Sequence, residues 1–247
     1  MTVEPLELEL VCDDLRLNCW SISPTADPRG TLVFLHGIPS AAAPDPDDVG
    51  YRGLAAEAAD KGWTAIWADM RGVRGSPGYF SIEGWVRDAG AVVDIARKQP
   101  GDKVALIGSS AGGAVSTEAV RRGADVDALA LLAAPAAWLT FASDAAAGLE
   151  RIMADTGMAM APEVLKDPST WASEFARVTT EESIGDISVP LLLLHGTADD
   201  VVPVEHARRL SERAPEAEVH ILDGAAHQLR RDRRALEILF DWLDRTL

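Results

Sequence analysis

The sequence predicts one α/β domain in which a mostly parallel sheet is covered by helices on both faces. Continuous apolar runs recur along the chain, as expected for strands that are buried on both sides. Segments with helical spacing of apolar residues separate most of these runs, and this alternation is typical of parallel sheets. The 247 residues, of which 47% are hydrophobic, are enough for one large core. We therefore expect a single domain over residues 1–247.

The N-terminal segment predicts an antiparallel hairpin. Apolar and polar residues alternate over 6–12 and 15–19, around a turn at Asp13-Asp14. This register places Cys12 and Cys19 about 13 Å apart, at ~3.4 Å per residue, which is too far for a disulfide. We expect both cysteines to pack as small apolar side chains.

The remaining elements follow from the position of the apolar runs. Strands are predicted at 31–35, 63–68, 103–108, 128–133, 189–194 and 218–222. Helices are predicted at 49–60, 82–99, 111–122, 204–213 and 232–247. With the two hairpin strands this makes an eight-stranded sheet. Residues 135–187 fit neither a strand nor one long helix, and we interpret them as a helical cap inserted after the sixth strand.

The most informative motif is Gly108-Ser109-Ser110-Ala111-Gly112, between the strand 103–108 and the helix 111–122. G-x-S-x-G in this context is typical of a nucleophile elbow, in which a serine is presented at a sharp turn. The crowded turn requires glycine at both ends. Ser110 is therefore the candidate nucleophile, and the Ala111 N–H is a candidate oxyanion donor. The alternative is a glycine-rich turn without chemistry.

A serine nucleophile needs a general base, and His227 is the candidate among the five histidines. It lies just beyond the carboxyl end of the last strand, the edge at which active groups of open α/β sheets gather. The other histidines have structural explanations. His36 and His195 end strands and precede glycine, so each is expected to hydrogen-bond its own turn. His206 is expected on a solvated helix face, and His220 lies within a strand.

The orienting acid should follow another strand, between Ser110 and His227 in the chain. Asp199 and Asp200 follow the strand 189–194, and Asp223 lies only four residues before His227. Whichever of Asp199 and Asp200 is not the acid can cap the next helix. The residues alone leave these three aspartates open.

These motifs together resemble the α/β-hydrolase superfamily, and they span nearly the whole chain. The matching pieces are His36-Gly37, Asp69-x-Arg71-Gly72-x-x-Gly75-Ser76, the Gly108–Gly112 elbow, His195-Gly196-x-x-Asp199-x-x-Val202-Pro203 and Gly224-x-x-His227. The order Ser, Asp, His is the one that this superfamily uses. The N-terminal hairpin and the short cap resemble serine aminopeptidase-like and feruloyl-esterase-like members.

The resemblance implies Asp199 as the acid and the Ile38 N–H as the second oxyanion donor beside Ala111. Two features depart from the pattern: Pro39 biases Ile38 toward extended geometry, and no second glycine of the HGGG type follows His36. The expected activity is hydrolysis of a carboxylic ester or similar acyl compound, without metal or cofactor. Peptide or amide hydrolysis and thioester hydrolysis are alternatives on the same triad, and a non-catalytic ligand-binding protein is a third.

Composition limits the partners. The formal net charge of −16 argues against nucleic acid and anionic membranes. The first ten residues carry three glutamates, and no apolar run is long enough to cross a membrane, so we expect a cytoplasmic protein. The sequence makes no prediction of the oligomeric state.

The cap predicts the kind of substrate. It contains candidate pocket residues that are large, apolar and adaptable: Trp138, Phe141, Met153, Met158 and Met160. The same segment holds nine acidic and three basic residues. We therefore expect a small acyl substrate with an apolar acyl part, neutral or cationic overall.

Overall fold

The computed structural model describes residues 4–39, 48–138 and 144–247. In these ranges the strands are β1 Leu6–Glu7, β2 Leu10–Cys12, β3 Leu15–Leu17, β4 Cys19–Ile22, β5 Gly30–Leu35, β6 Thr64–Ala68, β7 Lys103–Ser109, β8 Ala128–Leu132, β9 Leu191–Gly196 and β10 Glu218–Leu222. The helices are α1 Gly50–Asp60, α2 Ile82–Ala96, α3 Ala111–Arg121, α4 Ala145–Thr156, α5 Pro162–Lys166, α6 Ser169–Arg177, α7 Thr180–Ser183, α8 Glu205–Arg213 and α9 Arg233–Thr246. Two 3₁₀ turns cover Ile184–Asp186 and Leu229–Arg231.

The main sheet has eight strands in the order β1-β4-β6-β5-β7-β8-β9-β10. The pairs β1/β4 and β4/β6 are antiparallel, and the strands from β6 to β10 run parallel. The carboxyl ends of these parallel strands consequently lie along one edge, where the candidate nucleophile and base follow β7 and β10. The predicted mostly parallel eight-stranded sheet with helices on both faces is confirmed.

The N-terminal hairpin turns where the sequence predicts. Cys12 pairs with Leu15, and Asp13 and Asp14 take positive φ values of 50° and 62°. Aspartate tolerates this left-handed backbone better than most residues. The hairpin differs from the prediction in one respect: β2 and β3 form a separate two-stranded ladder, and only β1 and β4 join the main sheet. Both cysteines are free thiols.

Two apolar clusters cover the two faces of the sheet, because successive side chains of a strand point to opposite sides. In β5, Val33 and Leu35 join one cluster, and Leu32 and Phe34 join the other. Helices α2 and α3 pack on the first face, and α1 and α9 on the second. Both faces are therefore buried, which explains why the central strands read as continuous apolar runs.

In its described residues, the segment between β8 and β9 carries the four helices α4 to α7. Its aromatic side chains pack on the first face of the sheet: Trp138, Trp171 and Phe175 belong to the same cluster as α2 and α3. Phe80, in the loop before α2, makes ring contacts with Trp171 and Phe175. The helices of this segment thus share the core of the sheet.

A buried glutamate ties the elbow helix to this segment. The Glu118 carboxylate, 1% exposed, accepts hydrogen bonds from Arg121, Arg122 and the Ser183 hydroxyl. Burial by itself would raise the pKa of Glu118, but the bonds from Arg121, Ser183 and Arg122 outweigh it and lower the pKa to about 2.

We expect Glu118→Gln to lower the free energy of unfolding at pH 7 by about 3 kcal/mol. Because the folded-state pKa is depressed, this stabilisation is complete above the ordinary glutamate pKa and is lost as the pH falls toward about 2. Urea unfolding of wild type and variant at several pH values measures it. The exposed Glu212→Gln is the control. A constant difference between wild type and Glu118→Gln down to pH 3 would contradict this assignment.

Among the described residues, no helix has the length and apolar character needed to cross a membrane.

Candidate active site

Ser110 lies at a strained turn between β7 and α3. Its backbone has φ 53° and ψ −125°, which L-residues rarely adopt, and its N–H donates to the Leu132 carbonyl at 2.8 Å. A Cβ on Gly108 would lie 2.5 Å from the Gly112 oxygen, and a Cβ on Gly112 would lie 2.5 Å from the His36 oxygen. Both glycines are thus required by crowding, and the turn has the geometry expected of a nucleophile elbow.

The loop after β5 lies directly against this turn, since a Cβ on Gly37 would be 2.7 Å from the Ser110 Cβ. The Met70 N–H donates to His36 Nε2 at 3.1 Å, so Nδ1 carries the hydrogen and donates to the Gly37 carbonyl at 2.7 Å. Burial lowers the pKa of His36 to about 4 and keeps the ring neutral. The Gly37 carbonyl faces His36, so the Ile38 N–H of the same trans peptide points away from that ring.

Asp199 and His227 are brought together from loops that follow β9 and β10. His227 Nδ1 lies 2.8 Å from Asp199 Oδ2, and the Asp199 side chain is fully buried. A carboxylate accepts hydrogen bonds, so Nδ1 carries the hydrogen, and in the neutral ring Nε2 is left with its lone pair. The His227 side chain is 17% exposed and lines the same cavity as Ser110.

The carboxylate of Asp199 is held by four groups. Its Oδ1 accepts the N–H groups of Val201 at 2.9 Å and Val202 at 2.8 Å, and His195 Nε2 lies 3.4 Å from Oδ2. Burial alone would raise the pKa of Asp199, but hydrogen bonds from His195, His227 and the Val202 backbone outweigh it and lower the pKa far below its ordinary value. The group is therefore an anion throughout the neutral range.

The other two candidate acids lie elsewhere. Asp200 is exposed, and Asp223 accepts a hydrogen bond from the Thr197 hydroxyl at 3.1 Å on the surface. His195 was expected to bond only its own turn. It does so through the Val202 carbonyl at 2.7 Å, and it also contacts Asp199. Its position four residues before Asp199 was the available signal for this contact.

A cavity of about 840 Å³ opens above Ser110. Its wall includes Ser110, Ala111, Ile38 and His227, together with side chains of the segment 135–187. The volume is within the range of sites for small molecules. The predicted nucleophile, base and oxyanion donors therefore face one common space.

The cap residues predicted to line this cavity are distributed differently. Trp138 lines it, 7% exposed, and donates its indole N–H to the Val178 carbonyl at 2.5 Å. Met153 is 49% exposed on α4, whereas its neighbour Ile152 lines the cavity. Met158 and Met160 are buried in the core that the segment shares with the sheet, outside the described cavity wall. Phe141 lies outside the described residues.

His206 is not solvated, contrary to the sequence expectation. It is 7% exposed, accepts the Ala136 N–H at 2.9 Å through Nδ1, and forms part of the cavity wall. Burial, and secondarily the nearby Arg209, lowers its pKa. Leu210, four residues later on the same helix face, is also buried. This i,i+4 spacing was the overlooked sign that His206 faces the interior.

Tyr51 is a site residue that the sequence reasoning missed. It comes from α1, lines the cavity together with Ser109 and Ser110, and interacts with the Ser109 side chain. Burial raises the pKa of its phenol. No motif marks this position, because the contact joins a helix and a turn far apart in the chain.

The charges in the wall are the reverse of those expected from the acidic cap. The described wall contains Arg74, Arg151 and Arg230 and neither aspartate nor glutamate. The acidic side chains of the cap therefore give no support to the expectation of a neutral or cationic substrate.

The chain matches the family model described as serine aminopeptidase, S33, over residues 26–170 and 168–234. It is also similar to human protein ABHD12B, with 28% identity over 207 residues, which is 81% of this chain and 54% of that protein. The chain thus spans about half the length of this relative.

Solved structures resemble the whole chain. The Pyrococcus furiosus esterase Pf2001 superposes with a TM-score of 0.71 at 19% identity, covering 99% of this chain and 92% of that one. Est1E of Butyrivibrio proteoclasticus, in a structure with bound ferulic acid, gives a TM-score of 0.73 at 19% identity over 97% of this chain and 98% of that one. At these identities the similarity establishes the fold.

Proposed function

Since the chain belongs to the serine aminopeptidase (S33) family of α/β-hydrolases, we propose that it is a serine hydrolase that cleaves carboxylic esters through an acyl-enzyme. The observation that carries the proposal is the 2.8 Å contact between His227 Nδ1 and the buried Asp199 carboxylate. His227 lines the same cavity as Ser110. Ser110, His227 and Asp199 are the proposed triad.

In the proposed mechanism, Ser110 Oγ attacks the substrate carbonyl while His227 Nε2 takes the hydroxyl proton. Asp199 holds the Nδ1–H tautomer and stabilises the imidazolium that forms. The N–H groups of Ile38 and Ala111 bind the oxyanion, assisted by the N-terminus of α3. His227 then protonates the departing alkoxide. Water attacks the acyl-enzyme by the same route, which releases the acid and frees Ser110.

The cavity supports an apolar acyl part. On the cap side its wall includes Trp138 and Ile152, and on the sheet side Leu132 and Val202. Burial of an alkyl chain against these side chains stabilises the bound substrate in proportion to the area removed from water. Trp138 is the cap residue that we propose for this acyl contact. We leave Met153, Met158 and Met160 out of it, because none of them belongs to the described cavity wall.

We expect kcat/KM for p-nitrophenyl esters to rise about three- to fourfold per added methylene, at ~0.8 kcal/mol each, until the cavity is full. Initial rates from acetate to decanoate measure this slope. The alkaline hydrolysis rates of the same esters are the control, since they show no such increase. A falling series from acetate onward would contradict the apolar acyl subsite.

Peptide hydrolysis is the second candidate, because the family model is named for aminopeptidases. An aminopeptidase has to bind the cationic amino group of its substrate, and carboxylates are the usual partners of such a group. The described cavity wall contains no carboxylate. Ester hydrolysis is therefore favoured, and rates on alanine p-nitroanilide beside p-nitrophenyl butyrate distinguish the two.

A further inference from the structure

Two arginines form the boundary between the catalytic cavity and a second cavity beside it. The second cavity has a volume of about 630 Å³ and shares Tyr51, Arg74 and Arg230 with the first. The acids Asp48 and Asp69 line only the second cavity. Each arginine thus has an acid partner on one side and the catalytic cavity on the other.

Arg230 is held rigidly in this boundary. Both of its terminal nitrogens bond the Asp48 carboxylate, and its guanidinium lies 5.6 Å from the centre of the Tyr51 ring. Its side chain is 19% exposed. Arg230 also lines the cavity that contains Ser109 and Ser110, so this guanidinium faces the same space as the nucleophile turn.

Arg74 is the more accessible of the two. Its side chain is 52% exposed, and Nη1 donates to Asp69 at 3.1 Å. A guanidinium has five N–H donors in a planar fork, so one such bond leaves further donors for a ligand. The backbone of Arg74 has φ 47°, a strained conformation that is concentrated at functional sites in proteins.

The surrounding charge makes this arrangement unusual for the chain. The protein has 39 acidic and 23 basic residues, yet every charged side chain in the described catalytic wall is an arginine. Arg151, on α4, is the third of these. The wall therefore differs in sign from the average surface, and a planar guanidinium is suited to binding a carboxylate through two parallel hydrogen bonds.

We propose that Arg74 and Arg230 bind a carboxylate of the substrate, so that the enzyme prefers esters that carry a negative charge beside an apolar chain. This inference rests on the proposed esterase function. It replaces the neutral or cationic substrate expected from the composition of the cap, because none of the acidic side chains that the structure describes in residues 135–187 lines this wall.

Matched ester pairs test the inference. The first pair is the p-nitrophenyl half-ester of suberic acid and its methyl ester, which place a carboxylate or a neutral group on the acyl side. The second is 4-carboxyphenyl octanoate and its methyl ester, which place it on the leaving group. The ratio of kcat/KM within each pair is measured for wild type, Arg74→Gln and Arg230→Gln, at low and high NaCl.

We expect the wild type to favour the carboxylate ester in one pair, and Arg74→Gln to lower that ratio at least about fivefold, mainly through KM. High salt should lower the ratio as well, because the site is partly exposed. Arg230→Gln should act in the same direction, with thermal unfolding as a check on its fold. Arg208→Gln is the matched control, since Arg208 is exposed on α8 and lies outside the cavity wall.

The inference is overturned if wild type hydrolyses the neutral esters but favours the carboxylate in neither pair. It is also overturned if Arg74→Gln and the control Arg208→Gln show the same kcat/KM ratio of carboxylate ester to neutral ester in each pair. If no ester in either pair is hydrolysed, the proposed function itself fails, and this outcome is distinct from the other two.

Discussion

Replacing Ser110 by alanine should lower kcat for p-nitrophenyl butyrate by about 10⁶-fold, to the background of the site without a nucleophile. The change removes only the hydroxyl group, and a φ of 53° is as unfavourable for alanine as it is for serine. The fold and its melting temperature should therefore be kept. Initial rates at high enzyme concentration measure the loss.

Ser109→Ala is the matched control, because Ser109 carries the adjacent hydroxyl and lines the same cavity. It should keep activity within about tenfold, the scale of one neutral hydrogen bond. Intact-protein mass spectrometry with a fluorophosphonate should show one adduct on wild type and Ser109→Ala and none on Ser110→Ala. Adduct formation on Ser110→Ala would remove Ser110 from the proposed mechanism.

Replacing Asp199 by asparagine should lower kcat by about 10⁴-fold. The amide oxygen can still accept the N–H groups of Val201 and Val202, so its NH₂ group is turned toward His227. That group donates to Nδ1 and leaves the hydrogen on Nε2, which then cannot accept the Ser110 proton. Activity is lost because the base is held in the wrong tautomer. Substrate binding does not depend on this tautomer, so KM should change little.

Asp200→Asn and Asp223→Asn are the controls, since both carboxylates are exposed and neither contacts His227. Each should stay within about twofold of wild type, as exposed substitutions usually do. If Asp200→Asn or Asp223→Asn lost as much activity as Asp199→Asn, the acid would be misassigned. Thermal unfolding of all three variants separates a loss of activity from a loss of fold.

Local patterns were sufficient for the fold because they report burial directly. The continuous apolar run 31–35 is buried on both faces as β5, and its residues divide between the two clusters. The glycines of the elbow could likewise be interpreted from the sequence, because crowding within five residues is a local property. The hairpin turn at Asp13-Asp14 is local in the same way.

The choice among the acids was not local. Asp199, Asp200 and Asp223 all follow strands at the same edge, and the residues alone left them open. The resemblance to a family pointed to Asp199, and the structure places it against His227. Asp199 differs from Asp200 because the loop folds back over the Asp199 carboxylate, which accepts the N–H groups of Val201 and Val202. The Asp200 side chain is exposed to solvent.

The sequence by itself determined the alternation of strands and helices, the edge at which the candidate site lies, and the turn that presents Ser110. Tertiary structure decided which side chains face the cavity: Trp138 instead of Met158, His206 from the helix α8, and Arg74 and Arg230 from two distant loops. The physical reason is that hydrophobic periodicity records whether a side chain is buried. It does not record which distant loop folds against that side chain, and the charge of a cavity depends on those loops.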